Sequence, residues 1–310
     1  MTTEPFRLLM LSAMYENGGN TVHRLLDGHP RLRVYPFESQ LGTRLVDDAL
    51  ASAFPKKYRW PELPLSGTPE GDYRLVIDEE CKVRARTPHV SKFRHVPFDF
   101  DDEERKRIFV AKVEARGRTR GNAVAAFFEA TFEAWKDAVP AGPEPIHVGY
   151  SPILVVDAAK IVADLPEAHV LHVVRNPWSA YADHKKRPVP LSLADYLLGW
   201  VLCQHHASLY AALHPGRVHV LRTEDVFQDP VGTLGAFLGR LSCEPSETLA
   251  RPSWNGTPLT EVFPWGTIRI ATPEANRATA EELTPGEREE VRLRAGSFLD
   301  AFGYRDFLAG

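Results

Sequence analysis

Cysteine is scarce in this chain of 310 residues, with Cys81, Cys203 and Cys243 far apart. Three thiols so placed exclude a disulfide framework or a zinc knuckle and suit a reducing compartment, where they serve as small buried apolar groups. Long apolar runs are missing as well. The stretch from Leu8 to Met14 is too short for a membrane span or a signal-peptide core and has no basic flank, so a soluble, cytoplasmic protein without an integral membrane segment is expected. An excess of positive charge is absent too. Lys and Arg number 37 against 41 Asp and Glu, a net charge of −4, which argues against a nucleic-acid partner held by many phosphate contacts. No Walker GxxxxGK[ST] segment occurs, which disfavours ATP or GTP hydrolysis of the usual kind. Repeats and low-complexity tracts are also lacking.

What is present is a chain with 44% apolar and 25% charged residues, enough to bury a full core and at the upper edge of one α/β domain. A single domain over 1–310 is expected, with an insertion or cap at about 51–110. That stretch is rich in Pro, Lys, Arg and Asp, with scattered aromatic residues and no sustained period. Outside it, strand and helix patterns alternate. Leu8–Leu11, Leu32–Tyr35, Ile146–Val148, Val170–Val174 and Val218–Leu221 read as strands. Helical patterns cover Thr21–Gly28, Gly121–Ala138, Asp157–Ala163, Ser192–Leu213 and Pro230–Leu241, the last with Asp229 as N-cap and proline at its first position. This alternation predicts an α/β fold, a doubly wound parallel sheet with helices on both faces.

Two strand ends carry the chemistry. The first runs into Tyr15-Glu16-Asn17-Gly18-Gly19-Asn20-Thr21, where two glycines let backbone amides turn toward an anion and Thr21 offers a hydroxyl. Taken alone, this stretch also reads as a tight turn. The second runs into Arg175-Asn176-Pro177 and the basic stretch Lys185-Lys186-Arg187. It sets a rigid fork of donors, suited to phosphate oxygens, at a strand end with proline opening a helix. A surface arginine capping a sheet edge is the plainer reading. Two such sites suit a ligand with phosphate-like groups at both ends.

In order and spacing these segments resemble the sulfotransferases that use 3'-phosphoadenosine 5'-phosphosulfate (PAPS). Leu25-Leu26-Asp27-Gly28-His29-Pro30 stands where the family carries Leu-Leu-x-x-His-Pro. Pro166-Glu167-Ala168 through Arg175-Asn176-Pro177 follows its Val-Arg-Asn/Asp-Pro block. Arg222-Thr223-Glu224-Asp225-Val226, Asp229-Pro230, Thr233-Leu234 and Phe237-Leu238-Gly239 match its later block, and Trp200 has a counterpart. The resemblance covers residues 7–40 and 145–240 and leaves 51–110 out. It implies a P-loop NTPase-like fold in which Asn17, Gly18, Gly19, Asn20 and Thr21 hold the 5'-phosphosulfate and Arg175 helps to bind the 3'-phosphate. No metal is implied. The implied reaction is in-line sulfuryl transfer from PAPS to a hydroxyl of a small-molecule, sugar or lipid-linked acceptor. Glu38 matches, within one residue, a glutamate that carbohydrate-directed members use as base. Desolvation beside Phe37 can lift its carboxyl into a useful range, although a carboxylate there could equally cap a helix or pair with an arginine. His23 and His184 are further base candidates.

Several positions depart from the family pattern. Glu16 stands where a Lys or Arg is usual, Tyr150 where many members have lysine, Thr223 for a tyrosine often found near the adenine, and Asp183 where members place a serine eight residues after the arginine. Two like charges ~4 Å apart cost roughly 4 kcal/mol at an effective dielectric of 20, so Glu16 must turn away, find a cation or bind the acceptor. Arg24, Lys185, Lys186, Arg187 and Arg269 are the cations available to compensate, Arg269 as a C-terminal 3'-phosphate contact. Two other readings stay open: a nucleotide-binding module or degenerate enzyme without transfer activity, and a nucleotide-dependent phosphotransferase.

Overall fold

Alternating apolar runs and amphipathic segments resolve into five parallel strands. The structure, a computed structural model, describes residues 5–259, 268 and 270–308. Strands β1 (Leu8–Ala13), β2 (Leu32–Val34), β3 (Ile146–Tyr150), β4 (Ala168–Val174) and β5 (Val218–Arg222) form one sheet in the order β2-β3-β1-β4-β5. β1 lies at its centre, with Leu8 opposite His147 on one side and Ala168 on the other.

The strands are joined by helices. Helix α1 (Gly19–Leu26) follows β1. The excursion between β2 and β3 holds α2 (Pro69–Leu75), α3 (Glu79–Arg86), α4 (Asp102–Arg116) and α5 (Arg120–Ala134). Helix α6 (Ala158–Asp164) precedes β4, and α7 (Pro177–His184) and α8 (Leu193–Leu213) precede β5. The chain continues through α9 (Thr223–Gln228), α10 (Pro230–Gly239), a two-stranded ribbon of β6 (Ser253–Trp254) and β7 (Thr257–Pro258), then α11 (Pro273–Glu281) and α12 (Pro285–Ala301).

Neighbouring residues of β1 point to opposite faces, and both faces are covered. Leu9, Leu11 and Ala13 pack with Val22, Leu25 and Leu26 of α1 and Leu234, Phe237 and Leu238 of α10. Leu8 and Met10 pack with Phe128 of α5, Ile161 of α6, Trp200 of α8 and Leu299 of α12. A sheet covered on both faces has apolar residues at every strand position, which is why its strands read as continuous apolar runs. The result is the doubly wound, P-loop-like α/β arrangement.

Two expectations about the elements need correction. The helix expected over 121–138 stops at Ala134, because Trp135 leaves it to bridge Phe100 and to join a third apolar cluster with Phe37, Phe93 and Trp254. The stretch at 51–110 is more regular than its sequence suggests, holding α2, α3 and the start of α4. The buried positions of α4 include Asp102 and Arg105 beside Phe109 and Val113, so its inner face is half polar and its period is hidden. Arg105 is fully buried. Its Nη1 donates to Asp78 Oδ2 at 2.7 Å, its Nη2 to Asp102 Oδ1 at 2.6 Å and its Nε to Tyr73 Oη at 2.7 Å. Arg59 does the same for the start of the excursion, its Nε donating to the buried Asp157 at 2.7 Å.

Candidate functional site

The loop after β1 takes its shape from Asn17. Its side-chain amide donates to Tyr15 O (2.9 Å) and Tyr196 Oη (3.2 Å), while its Oδ1 accepts from Arg175 N (2.9 Å) and Trp200 Nε1 (3.2 Å). That uses both donors and both lone pairs of the amide. Thr223 Oγ1 in turn donates to Asn17 O. One buried side chain thus ties the end of β1 to the end of β4 and to α8. Gly18 takes a left-handed conformation (φ 84°) to turn into α1, and a Cβ there would lie 2.7 Å from Thr223 Cγ2. At Gly19 a Cβ would lie 2.5 Å from Tyr150 Cε2, so the Tyr150 ring lies directly against the loop.

Gly18, Gly19 and Asn20 open onto a cavity of about 1080 Å³, and Glu38, Tyr58, Phe93, Tyr150, Asp183 and Arg187 line it as well. Thr21, 1% exposed, is buried behind the first turn of α1, outside the cavity wall. Glu16, with φ 59°, finds a cation: Arg187 donates to its carboxylate from Nε at 2.6 Å. Of the other candidate cations, Lys185 pairs with Glu287 and Lys186 with Glu282 and Asp183. Arg24 is buried elsewhere, donating to Tyr35 O at 3.0 Å and facing the Trp254 ring. Arg269 lies outside the described residues.

A second cavity, of about 580 Å³, is lined by Arg175, Thr223, Phe227, Asn276 and Arg277 among others. Arg175 Nη1 donates to Asp183 Oδ2 (2.8 Å) and Glu16 O (3.1 Å), and Nε donates to Asn276 Oδ1 (2.9 Å). Its Nη2 is buried with no partner among the described residues. Glu16 and Asp183 line the first cavity and Arg175 the second, so a single layer of side chains separates the two.

Glu38 sits just past β2, beneath α3. Its Oε2 accepts from Gln40 Nε2 at 3.3 Å, and Gln40 Oε1 accepts from Glu79 N at 3.1 Å. Burial, then the neighbouring Glu80 carboxylate, pushes the Glu38 carboxyl up to about 7; Lys92, Gln40 and Lys57 pull the other way. The two histidine candidates differ from it. His23 is fully buried, with its pKa driven well below the ordinary value by burial, and His184 is lowered to about 4, again by burial. Neither lines the first cavity.

Glu79, Glu80, Lys57 and Lys92 also border this cavity, and the sequence reading did not single them out. The acidic doublet Glu79-Glu80 opening a helix was the one available signal. Of the insertion's aromatic residues, Tyr58 and Phe93 line the cavity, whereas Trp60 and Tyr73 are fully buried in the core. Among the described residues no group of three or more His, Cys, Asp or Glu side chains gathers as a metal site, and no helix is long and apolar enough to cross a membrane.

No family model matches the chain, and no curated protein matches its sequence. Solved structures do share its fold. A sulfotransferase domain from the curacin biosynthetic pathway is 13% identical, with 96% of this chain and 98% of that one covered at a TM-score of 0.55. The sulfotransferase domain of the Synechococcus PCC 7002 olefin synthase is 16% identical, with 95% and 94% covered at a TM-score of 0.53.

Proposed function

We propose that this chain, with the fold of a sulfotransferase domain as premise, moves a sulfuryl group from PAPS to an acceptor hydroxyl lodged in the larger cavity. The acceptor is a small molecule, a sugar or a lipid-linked glycan. The observation that carries this reading is that Glu38 and the first turn of α1 open onto one cavity.

The residues fit the donor in two places. Amides at the start of α1, around Gly18, Gly19 and Asn20, have no partners within the helix and so suit an anion. Arg175 keeps a buried nitrogen without a partner among the described residues where the two cavities meet. The first group would hold the phosphosulfate end and Arg175 the 3'-phosphate end, with Asn17 and Thr21 shaping the loop from behind and Asp183 orienting the Arg175 fork. PAPS, when bound, supplies the activated sulfuryl group. Glu38, with its carboxyl near 7, takes the proton of the attacking hydroxyl, and Tyr58, Phe93 and Tyr150 keep water from it. The whole is read as one domain, with about 51–110 inserted to wall the acceptor side.

A second reading, donor binding without transfer, draws on two ion pairs. Asp183 on Arg175 and Glu16 on Arg187 each occupy a cation that a polyanionic donor would otherwise meet. Labelled PAPS with a panel of hydroxyl acceptors, run beside calorimetry with 3',5'-bisphosphate, separates the two. Transfer is expected, with Glu38→Gln lowering kcat by about 10²- to 10⁴-fold and leaving bisphosphate affinity intact. Binding without transfer would select the second reading, and absence of binding would remove both.

A further inference from the structure

The insertion delivers a second carboxylate to Glu38. Glu80, in the first turn of α3, accepts the main-chain N–H of Glu38 through Oε2 at 3.1 Å, across 42 residues of sequence. The other oxygen of Glu80 is paired with Lys92 Nζ, and Lys92 also lies 4.7 Å over the Phe93 ring, itself stacked on Phe37 at 4.3 Å. The contact is not incidental, because the whole start of α3 is fastened to this segment. Asp78 N donates to Gln40 O at 2.8 Å, Glu79 N donates to the Gln40 side chain, and Ile77 N donates to Gly42 O at 3.0 Å. Gln40 then holds the Glu38 carboxylate.

We propose that Glu80, brought to the cavity by the insertion and clamped by Lys92, is a positioning residue for Glu38, fixing its main chain and, through its charge, the carboxyl's hold on a proton. This rests on Glu38 being the base of the proposed transfer.

The charges facing Glu38 come from several elements. Glu80 and Glu79 stand on α3 and Lys92 on the loop that follows it. Lys57 comes from the short turn at Lys56–Tyr58, where it pairs with Glu79 at 2.7 Å, and Arg187 comes from beyond α7. The hydroxyls of Tyr15, Tyr58 and Tyr150 are also within electrostatic reach of Glu38. Lys57 is matched by Glu79 and Arg187 by Glu16, and of the carboxylates near Glu38 it is Glu80 that touches its main chain. A like charge at this range favours the protonated form, and a cation beside that charge moderates the effect. Removing Glu80's charge should therefore loosen the proton, and removing Lys92 should tighten it.

The test is a carboxyl-carbon NMR titration of the whole protein, with Glu38 assigned by Glu38→Gln, alongside the pH profile of transfer. In Glu80→Gln the Glu38 midpoint is expected to fall by about one pH unit, a tenfold weaker hold on the proton. In Lys92→Gln it is expected to rise. Should Glu80→Gln fail to fold, the double variant Glu80→Gln/Lys92→Gln, which strands no cation and removes a Lys92 that is 52% exposed, decides the matter: its midpoint also falls, because Glu80 outweighs Lys92 at Glu38. The acid limb of transfer should move with the NMR midpoint, whereas a merely structural role would lower activity at every pH and leave the limb in place. An unmoved midpoint in Glu80→Gln, or in the double variant, overturns the role of Glu80, whatever the activity. Midpoints that move as expected while Glu38→Gln transfers at the wild-type rate uphold the effect of Glu80 on Glu38 and remove Glu38 as the base instead.

Discussion

Asn17 has every polar atom of its side chain engaged within the protein. Truncation would leave the buried Arg175 main-chain N–H without an acceptor, at a cost of roughly 1–3 kcal/mol, while the Trp200 indole N–H would keep Arg175 O at 3.2 Å. Asn17→Ala is therefore expected to lower unfolding stability by about 2 kcal/mol, read from urea midpoints, with the loss local to the ends of β1 and β4 in hydrogen exchange. The sequence identified this residue as part of the loop without revealing its role. A side chain that holds four partners from β1, β4 and α8 looks, in sequence, like any turn asparagine. Gly18 and Gly19 were more legible, because the tight turn they make precedes a helix and leaves little doubt about backbone geometry. Glu16 was legible as a conflict. Its resolution by Arg187 depends on where the end of α7 lands, which no local pattern records.

At the scale of elements, Arg105 on α4 decides whether the insertion stays folded against the sheet. It is fully buried between Asp78 and Asp102, and its Nη1 also donates to the Tyr35 hydroxyl at 3.2 Å. Replacing one partner of such a pair leaves charge stranded in the interior, at a cost of about 3–5 kcal/mol. Arg105→Leu is expected to raise exchange over α2 and α3 far more than over β1 and β4, as mass spectrometry of exchanged peptides would show. Uniform exchange across the molecule would mean that the insertion and sheet unfold together. The central strands were legible as continuous apolar runs, and the helices flanking them by their apolar buried faces. α4 was not, since Asp102 and Arg105 occupy its inner face. α11 and α12 escaped notice for a related reason: α12 carries a dense run of Glu and Arg through 287–294 and buries only Val291, Ala295 and Leu299.

Across the whole molecule, acid should destabilise the fold through histidines buried in the neutral form. Burial lowers His147 to about 3 and both His172 and His169 to about 4, from an ordinary 6.5. Below pH 6.5 the unfolded chain therefore binds more protons than the native one, and stability falls as pH drops from about 6.5 toward 4. Glu38 works in the opposite sense. Raised from 4.5 to about 7, it binds its proton more strongly when folded, which adds stability at low pH that is lost as pH rises through that window. Urea midpoints at pH 7.5, 6 and 5 should fall with acid, and more steeply in Glu38→Gln. The overall architecture was legible because alternating strands and helices leave few topologies open. The composition of the cavity was not, because Glu80 meets Glu38 only when the insertion closes over the end of β2. That closure links two traits that could otherwise vary separately. Under the proposed function, the segment that walls the acceptor side would also tune the base, so exchanging it for another would change both which alcohol is accepted and the acidity at which transfer runs in a single step.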